Sequence, residues 1–209
     1  MSIRPEAIPV TTTDDSIAAI ILAAGASRRM GRNKMLVQVH GESLVRRAVR
    51  RAAAAGLDPV VVVVGNEFEK IRAELDGLAF DSVINPDYTG PTSTSLHLGL
   101  GALPTGSTAA VVMLADMPLV TEEMLRALAS EARANAAPLA VSRYGGVFAP
   151  PLLFRRTLFP ELLAWHGEGC GKQVVLRHQD EAVVLDWPAS SLTDIDTPED
   201  LANAVSLTL

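Results

Sequence analysis

Three unbroken apolar runs, residues 17–23, 60–64 and 109–114, restrict what this chain can fold into. A strand with one wet face alternates apolar and polar residues. These runs do not alternate, so each is expected to be covered on both faces, as parallel strands are when helices lie above and below them. The segments between them read as helices. Within 42–55, Leu44, Val45, Ala48, Val49 and Ala52 form one stripe. Arg46, Arg47, Arg50 and Arg51 lie opposite and predict a solvated arginine face, with Gly56 ending the helix. Further helices are predicted over 67–75, 94–102, 121–135, 170–178 and 198–206, and shorter strands over 82–84, 139–143 and 182–186. Strands alternating with helices predict a three-layer α/β/α, Rossmann-like fold with a mostly parallel sheet. Ligands of such sheets bind at the C-terminal ends of the strands.

The 209 residues suit one domain of this kind, expected over 16–209, preceded by a disordered tail over 1–15. The formal net charge of −6 disfavours nucleic acid and anionic membranes as partners. Yet residues 28–51 hold eight basic side chains against one acid, Glu42, which suits a small polyanion. Cys170 is the sole cysteine, so neither an intrachain disulfide nor a cysteine-based metal site can form. Cys170 reads as a small, partly buried residue, and Trp165 as core packing or a pocket wall. His97, His166 and His178 lack metal-like spacing. No apolar leader or 20-residue apolar span is evident, and a cytoplasmic protein is expected.

The segment directly after the first run is Leu22-Ala23-Ala24-Gly25-Ala26-Ser27-Arg28-Arg29-Met30-Gly31-Arg32-Asn33-Lys34. Small residues let backbone approach a ligand, free N–H groups bind anions, and Arg29 and Lys34 add charge within reach of a triphosphate. Neither a Walker A motif nor the dinucleotide G-x-G-x-x-G is present. On chemistry alone, a glycine turn with solvated arginines explains the segment as well. Asp116, straight after the third run, stands where a Mg²⁺ ligand would, or a helix cap. Asn85-Pro86 and Ser93-Thr94-Ser95 read as a proline turn entering a helix that offers N–H and hydroxyl donors. Thr197-Pro198-Glu199-Asp200 reads as a helix start.

These segments together resemble the MobA-like nucleotidyltransferases over residues 17–206. The first matches L-A-A-G-x-S-x-R-M-G-x-x-K at every fixed position. Asp116-Met117-Pro118 resembles the metal motif, 85–96 the N-P-x-[YW] segment with a shifted glycine, and 194–201 the closing D-I-D-T-P-E-D-L. Ala-Ala-Gly is similar to the molybdenum cofactor cytidylyltransferase branch. The resemblance implies a nucleotide-diphospho-sugar transferase type of fold, with nucleotide contacts at Ala23, Ala24, Gly25, Ala26, Ser27, Met30, Gly31, Gly65, Asn85 and Ser95. It implies catalytic charge from Arg29 and Lys34, and Mg²⁺ on Asp116 with Asp196 or, secondarily, Asp194. Residues 16–120 would serve the nucleotide and 121–209 the acceptor, with Tyr144, Gly146 and Lys172 as acceptor contacts.

The acceptor half departs from the pattern. Ala149 and Pro150 stand where G-x-x-G-[HN]-P is usual, and Gly167-Glu168-Gly169-Cys170-Gly171-Lys172 where G-D-x-G-A-R is usual. The expected reaction is transfer of CMP from CTP to a molybdopterin-type cofactor with release of pyrophosphate, the product passing to a molybdoenzyme. Three alternatives stay open: another nucleoside triphosphate or phosphorylated acceptor, NAD(P)H-dependent redox chemistry, and a non-catalytic carrier.

Overall fold

The structure, a computed structural model, describes residues 16–25, 27 and 30–207; the expected tail lies outside them. Its strands are β1 (Ser16–Ala23), β2 (Gln38–Val39), β3 (Glu42–Ser43), β4 (Val60–Val64), β5 (Asp81–Ile84), β6 (Ser107–Leu114), β7 (Leu139–Tyr144), β8 (Val147–Arg155) and β9 (Val183–Trp187). Its helices are α1 (Leu44–Ala54), α2 (Phe68–Glu74), α3 (Thr92–Gly101), α4 (Glu122–Ala134), α5 (Phe159–Ala164), α6 (Cys170–Arg177) and α7 (Pro198–Leu207). Seven strands form one sheet in the order β5-β4-β1-β6-β8-β7-β9. All neighbouring pairs are parallel except those made by β8, which runs antiparallel to β6 and β7.

The three apolar runs are the central strands. Val61, Val62 and Val63 are wholly buried, as are Ala18 to Ile21. One face packs Ile21, Val62 and Val111 against Val45 and Val49 of α1 and Leu125 and Leu128 of α4. The other packs Ile20, Val63 and Val112 against Leu96 of α3, Leu162 of α5 and Val174 of α6. The chain leaves β1 toward β4 and β5 and then returns to β6 on the opposite side. The crevice where the order reverses opens between the ends of β1 and β6. A third, smaller cluster gathers Met30, Val37, Val39 and Leu44 around Ile195 and Ala204, which docks α7 onto the β2–β3 hairpin.

The structure corrects two expectations. No strand was predicted over 147–155, but only Gly145 and Gly146 turn, with φ of +55° and +91°, and β8 begins at once. Pro150 and Pro151 hid this strand. They lie where the β7 ladder shifts register, and β6 pairs only with residues 152–155, so no pairing donor is lost to either neighbour. Second, the α1 arginines are not a solvated face. Arg46 donates to the Glu74 and Asp76 carbonyls, Arg47 to Val39 and Arg51 to Pro118 and Val120. Arg50 alone among them keeps a surface role, pairing with Glu42 at 2.7 Å. Guanidinium groups with several fixed donors satisfy carbonyls that turns leave unpaired. α1 thereby ties down three loops. Burial lowers the Arg51 pKa to about 10.

Candidate active site

The described residues of the glycine-rich segment, Ala24, Gly25, Ser27 and 30–34, follow β1. Ser27 holds it from within: its hydroxyl accepts the Lys34 amide at 3.0 Å, and its carbonyl accepts the Met30 amide. Ser27 adopts φ of +50°, a strained conformation for a residue with a side chain. Asn33 caps the short 3₁₀ turn Lys34–Leu36 by accepting the Met35 amide, and reaches the Asn66 carbonyl beyond β4. Met30 and Met35 are buried pegs. Ala23 and Ala24 are buried at the strand end, and Gly25 and Gly31 line the cavities beside the loop. Ala26, Arg28 and Arg29 lie outside the described residues.

This stapling fixes the root of Lys34, whose side chain runs inward. Its Nζ donates to Asp116 Oδ2 at 2.5 Å and to Asp196 Oδ1 at 2.8 Å. Asp116 arrives on the end of β6. Asp196 is delivered by Ile195, which is fully buried in the third cluster and whose amide donates to the Asp116 carbonyl at 2.9 Å. Asp200 finishes the placement by accepting the Asp196 and Thr197 amides at the start of α7. Asp194 is exposed. Asp116 Oδ1 is buried without a hydrogen-bond partner. Burial pushes the Asp116 carboxyl above the usual carboxylate range, against the pull of Lys34. Burial also disfavours the Lys34 ammonium, but Asp116 and Asp196 together outweigh it and hold the pKa above its ordinary value.

Beside this triad lies a cavity of about 220 Å³, lined by Leu22, Ala24, Gly25, Lys34, Met35, Tyr88, Gly90, Thr92, Ser95, Leu114 and Asp116. Asn85 does not line it. Its buried amide accepts the Asp87 amide and donates to Thr94 and Ser95, and so positions the start of α3. Gly65 does not line it either, but packs behind two residues that do: a Cβ there would stand 2.5 Å from Tyr88 Cβ and 2.6 Å from the Ala24 carbonyl oxygen. A second cavity of about 480 Å³ lies across the loop, lined by Gly25, Ser27, Gly31, Arg32, Asn33, Asn66 and Glu67.

The three acceptor candidates do not gather with these residues. Tyr144 is buried, its hydroxyl donating to the Pro150 carbonyl and its phenol pushed up to about 12 by burial. Gly146 sits in the hairpin turn, Lys172 is exposed on α6, and none of the three lines either cavity. The second half of the chain meets the start of α3, beside the first cavity, through Gly167 and Glu168 instead. The Gly167 amide donates to Ser93, and the Glu168 carboxylate accepts from the Thr92 amide and hydroxyl. Sequence reasoning missed Glu168, Thr92, Tyr88 and Ile195. For Ile195 a signal existed: one apolar residue between two aspartates must point away from both. Cys170 is buried against the Leu162 carbonyl, its thiol raised to about 11 by burial, which makes it a packing residue. Trp165 packs partly buried against the same core under Arg177.

Among the described residues no group of three or more His, Cys, Asp or Glu could by itself hold an ion, and no helix is long and apolar enough to cross a membrane.

Comparison with known proteins bears on the family and the fold. The chain is 31% identical to the purine catabolism protein PucB of Bacillus subtilis over 88% of its own length and 93% of PucB. It is 34% identical to a probable molybdenum cofactor guanylyltransferase of Natronomonas pharaonis, over 88% and 95%. The crystal structure of Rv0371c from Mycobacterium tuberculosis superposes with a TM-score of 0.83 at 27% identity, covering 93% of this chain and all of that one, and Rv0371c has also been solved with manganese. The model of the MobA-like NTP transferase domain matches residues 19–183, so the chain belongs to the MobA-like family and is a nucleotidyltransferase.

Proposed function

We propose that the chain transfers CMP from CTP to a terminal phosphate of a molybdopterin-type cofactor in a Mg²⁺-dependent reaction. The observation that carries the general chemistry is the convergence of Lys34, Asp116 and Asp196 at the reversal point of the sheet, under the glycine-rich loop. The residues fit a divalent ion. Two carboxylates already share one cation, and a buried Asp116 oxygen has no other partner. Two protein carboxylates, completed by phosphate oxygens and water, are the usual provision for Mg²⁺. When bound, that ion supplies charge neutralisation across the phosphates.

The chain's own groups do the rest. By family resemblance the glycine-rich loop receives the phosphates, and Lys34, with Arg29, offsets charge growing on the leaving pyrophosphate. An acceptor phosphate oxygen attacks the α-phosphorus, and the bond to the bridging oxygen of pyrophosphate breaks. The nucleophile is already an anion, so no general base is required. Ala23, Ala24, Gly65 and Ser95 shape the nucleotide side, and we assign residues 16–120 to it and 121–209 to the acceptor. CTP rests on the Ala23-Ala24-Gly25 resemblance.

A second reading keeps the chemistry and changes the acceptor. It is favoured by Pro150, which sits within β8 and offers no side-chain donor, by the exposed Lys172, and by the likeness to PucB. Product identification separates the two. The protein is supplied with CTP, GTP or ATP, Mg²⁺ and molybdopterin or other phosphorylated acceptors, and pyrophosphate and the new dinucleotide are measured. A cytidine dinucleotide of molybdopterin is expected. A good non-pterin product would replace the first reading with the second, and absence of pyrophosphate with every pair would overturn both.

A further inference from the structure

We infer that Lys34 is the internal competitor of the divalent ion: its ammonium neutralises Asp116 and Asp196 in the free protein and leaves them when nucleotide phosphates arrive. This rests on the assignment of Asp116 and Asp196 as metal ligands, and goes beyond it by making metal and nucleotide binding cooperative through one side chain.

The distances carry the argument. One Nζ stands 2.5 Å from Asp116 Oδ2 and 2.8 Å from Asp196 Oδ1, so it occupies the space between the two oxygens that a small cation would need. Mg²⁺ sits about 2.1 Å from its oxygens, so ion and ammonium cannot share that space. Both charges would also repel strongly in a poorly solvated setting. Conversely, without the ammonium two close carboxylates would face each other with little water, since the Lys34 and Asp116 side chains are 11% and 15% exposed. In the free protein Lys34 supplies a cation between these two oxygens.

Lys34 is also built to move at one end only. Its backbone is fixed by the Ser27 hydroxyl and by the Asn33 cap of the 3₁₀ turn. Its four-carbon stem can still rotate, and the cavity lined by Gly25, Ser95 and Asp116 opens beside it. A triphosphate in that cavity would offer the ammonium anionic oxygens in exchange for the two carboxylates, which are released to the ion at the same time. Linkage then requires the ion to tighten the nucleotide as much as the nucleotide tightens the ion.

The test is Mn²⁺ binding to the full chain, followed by the paramagnetic resonance of free Mn²⁺, with and without a non-hydrolysable α,β-methylene CTP. Without nucleotide, Lys34→Met is expected to bind Mn²⁺ about tenfold tighter than the parent, because a charge-assisted contact no longer has to be broken. Lys34→Arg keeps the cation and should show no such gain, and Asp116→Asn should lose the ion. The nucleotide analogue should tighten Mn²⁺ more in the parent than in Lys34→Met. If Lys34→Met does not fold, Lys34→Gln carries the same expectation. Its thermal midpoint should fall without metal and rise further than the parent's on adding Mn²⁺. Equal or weaker Mn²⁺ binding in the neutral variants, with Asp116→Asn still losing the ion, would overturn the competition and leave the metal site standing. Undiminished binding in Asp116→Asn would remove the metal site and this inference with it.

Discussion

The two halves of the sheet are built differently. From β5 to β6 every neighbouring pair is parallel and the central strands are buried on both faces. The strand ends therefore lie on one rim, and the loops leaving β1, β4 and β6 meet there. From β8 to β9 the sheet is mixed, with a two-glycine hairpin and two prolines inside a strand. β9 is only partly buried. The first half is a stiff platform, its Lys34 held by two carboxylates and its Arg46 and Arg51 by two carbonyls each. Between β8 and β9 the second presents single side chains, Lys172 among them, and meets the crevice wall through the glycine-flanked Glu168, while Asp196, beyond β9, completes the platform. A platform of the first kind suits phosphates, which every nucleotide shares. A surface of the second kind can vary with the acceptor.

That contrast is broken most sharply by comparing Asp116→Ala with Lys172→Ala. The first removes the buried carboxylate at the centre of the platform and is expected to lower kcat by about a thousandfold, as losing one preorganised charge-stabilising group does. The second should change kcat by less than about threefold and act on KM for the acceptor, as an exposed charge does. Steady-state kinetics of both variants decide it, and comparable losses in kcat would erase the distinction between the halves.

A glycine in each half sharpens the comparison. In Gly65→Ala the new methyl meets Tyr88 Cβ and the Ala24 carbonyl, neither a yielding side-chain tip. The strand end must shift, at a cost of about 1–3 kcal/mol, and KM for the nucleotide should rise. In Gly146→Ala the methyl meets open space but the φ of +91° is unfavourable. About 1 kcal/mol of stability should go, with nucleotide KM unchanged. Urea denaturation and nucleotide KM of the pair test this, and a nucleotide effect from Gly146→Ala would show that the hairpin reaches the site.

Within α1 the same contrast appears at smaller scale. Arg51→Met strands two carbonyls of the loop that follows Asp116 and should cost about 2–3 kcal/mol. Arg50→Met disturbs an ion pair with Glu42 in which Arg50 is about half exposed, and should cost less than about 0.5 kcal/mol. Equal denaturation midpoints would return Arg51 to the solvated face expected of it.

How much could be read without coordinates follows from the same physics. The central strands and the helices α4, α6 and α7 were legible to within a residue or two, because burial on both faces and N-cap chemistry are local signals. The positions of Lys34, Asp116 and Asp196 in the chain were legible through family resemblance. The resemblance also implied that Asp116 and Asp196 share an ion; how they are brought together was not legible, since it depends on Ile195 filling a cluster made by residues 30–44. β8 was hidden because prolines argue against a strand, and the tolerance depends on which neighbour needs the N–H. The arginines of α1 were misread because amphipathicity says which face is polar and not whether loops cover it. Asn85 was read as a ligand contact, whereas its amide holds Asp87, Thr94 and Ser95 together.

The smallest effect concerns the second half of the sheet alone. His178 lies between Glu161 and Glu181, at 2.7 and 3.1 Å, and hydrogen bonds first to Glu161 and then to Glu181 raise its pKa above the ordinary 6.5. A folded-state pKa above the unfolded one means that the charged pair stabilises fully below about pH 6.5, with the contribution lost as pH rises through the raised value. Glu161 is shifted the other way, chiefly by His178, so its contribution is present above its unfolded value and disappears in acid. Because the group is open to solvent, the expected change is about 1–2 °C in the thermal midpoint. The parent should lose that much between pH 6 and 8 relative to His178→Asn, whose midpoint should follow a flatter course. Nucleotide affinity should be the same in both proteins across that range, because α6 carries no residue that lines the cavity beside Lys34. A parallel change in nucleotide affinity would mean that the two halves communicate through α6 and Glu168, and that the platform is not independent of the surface beside it.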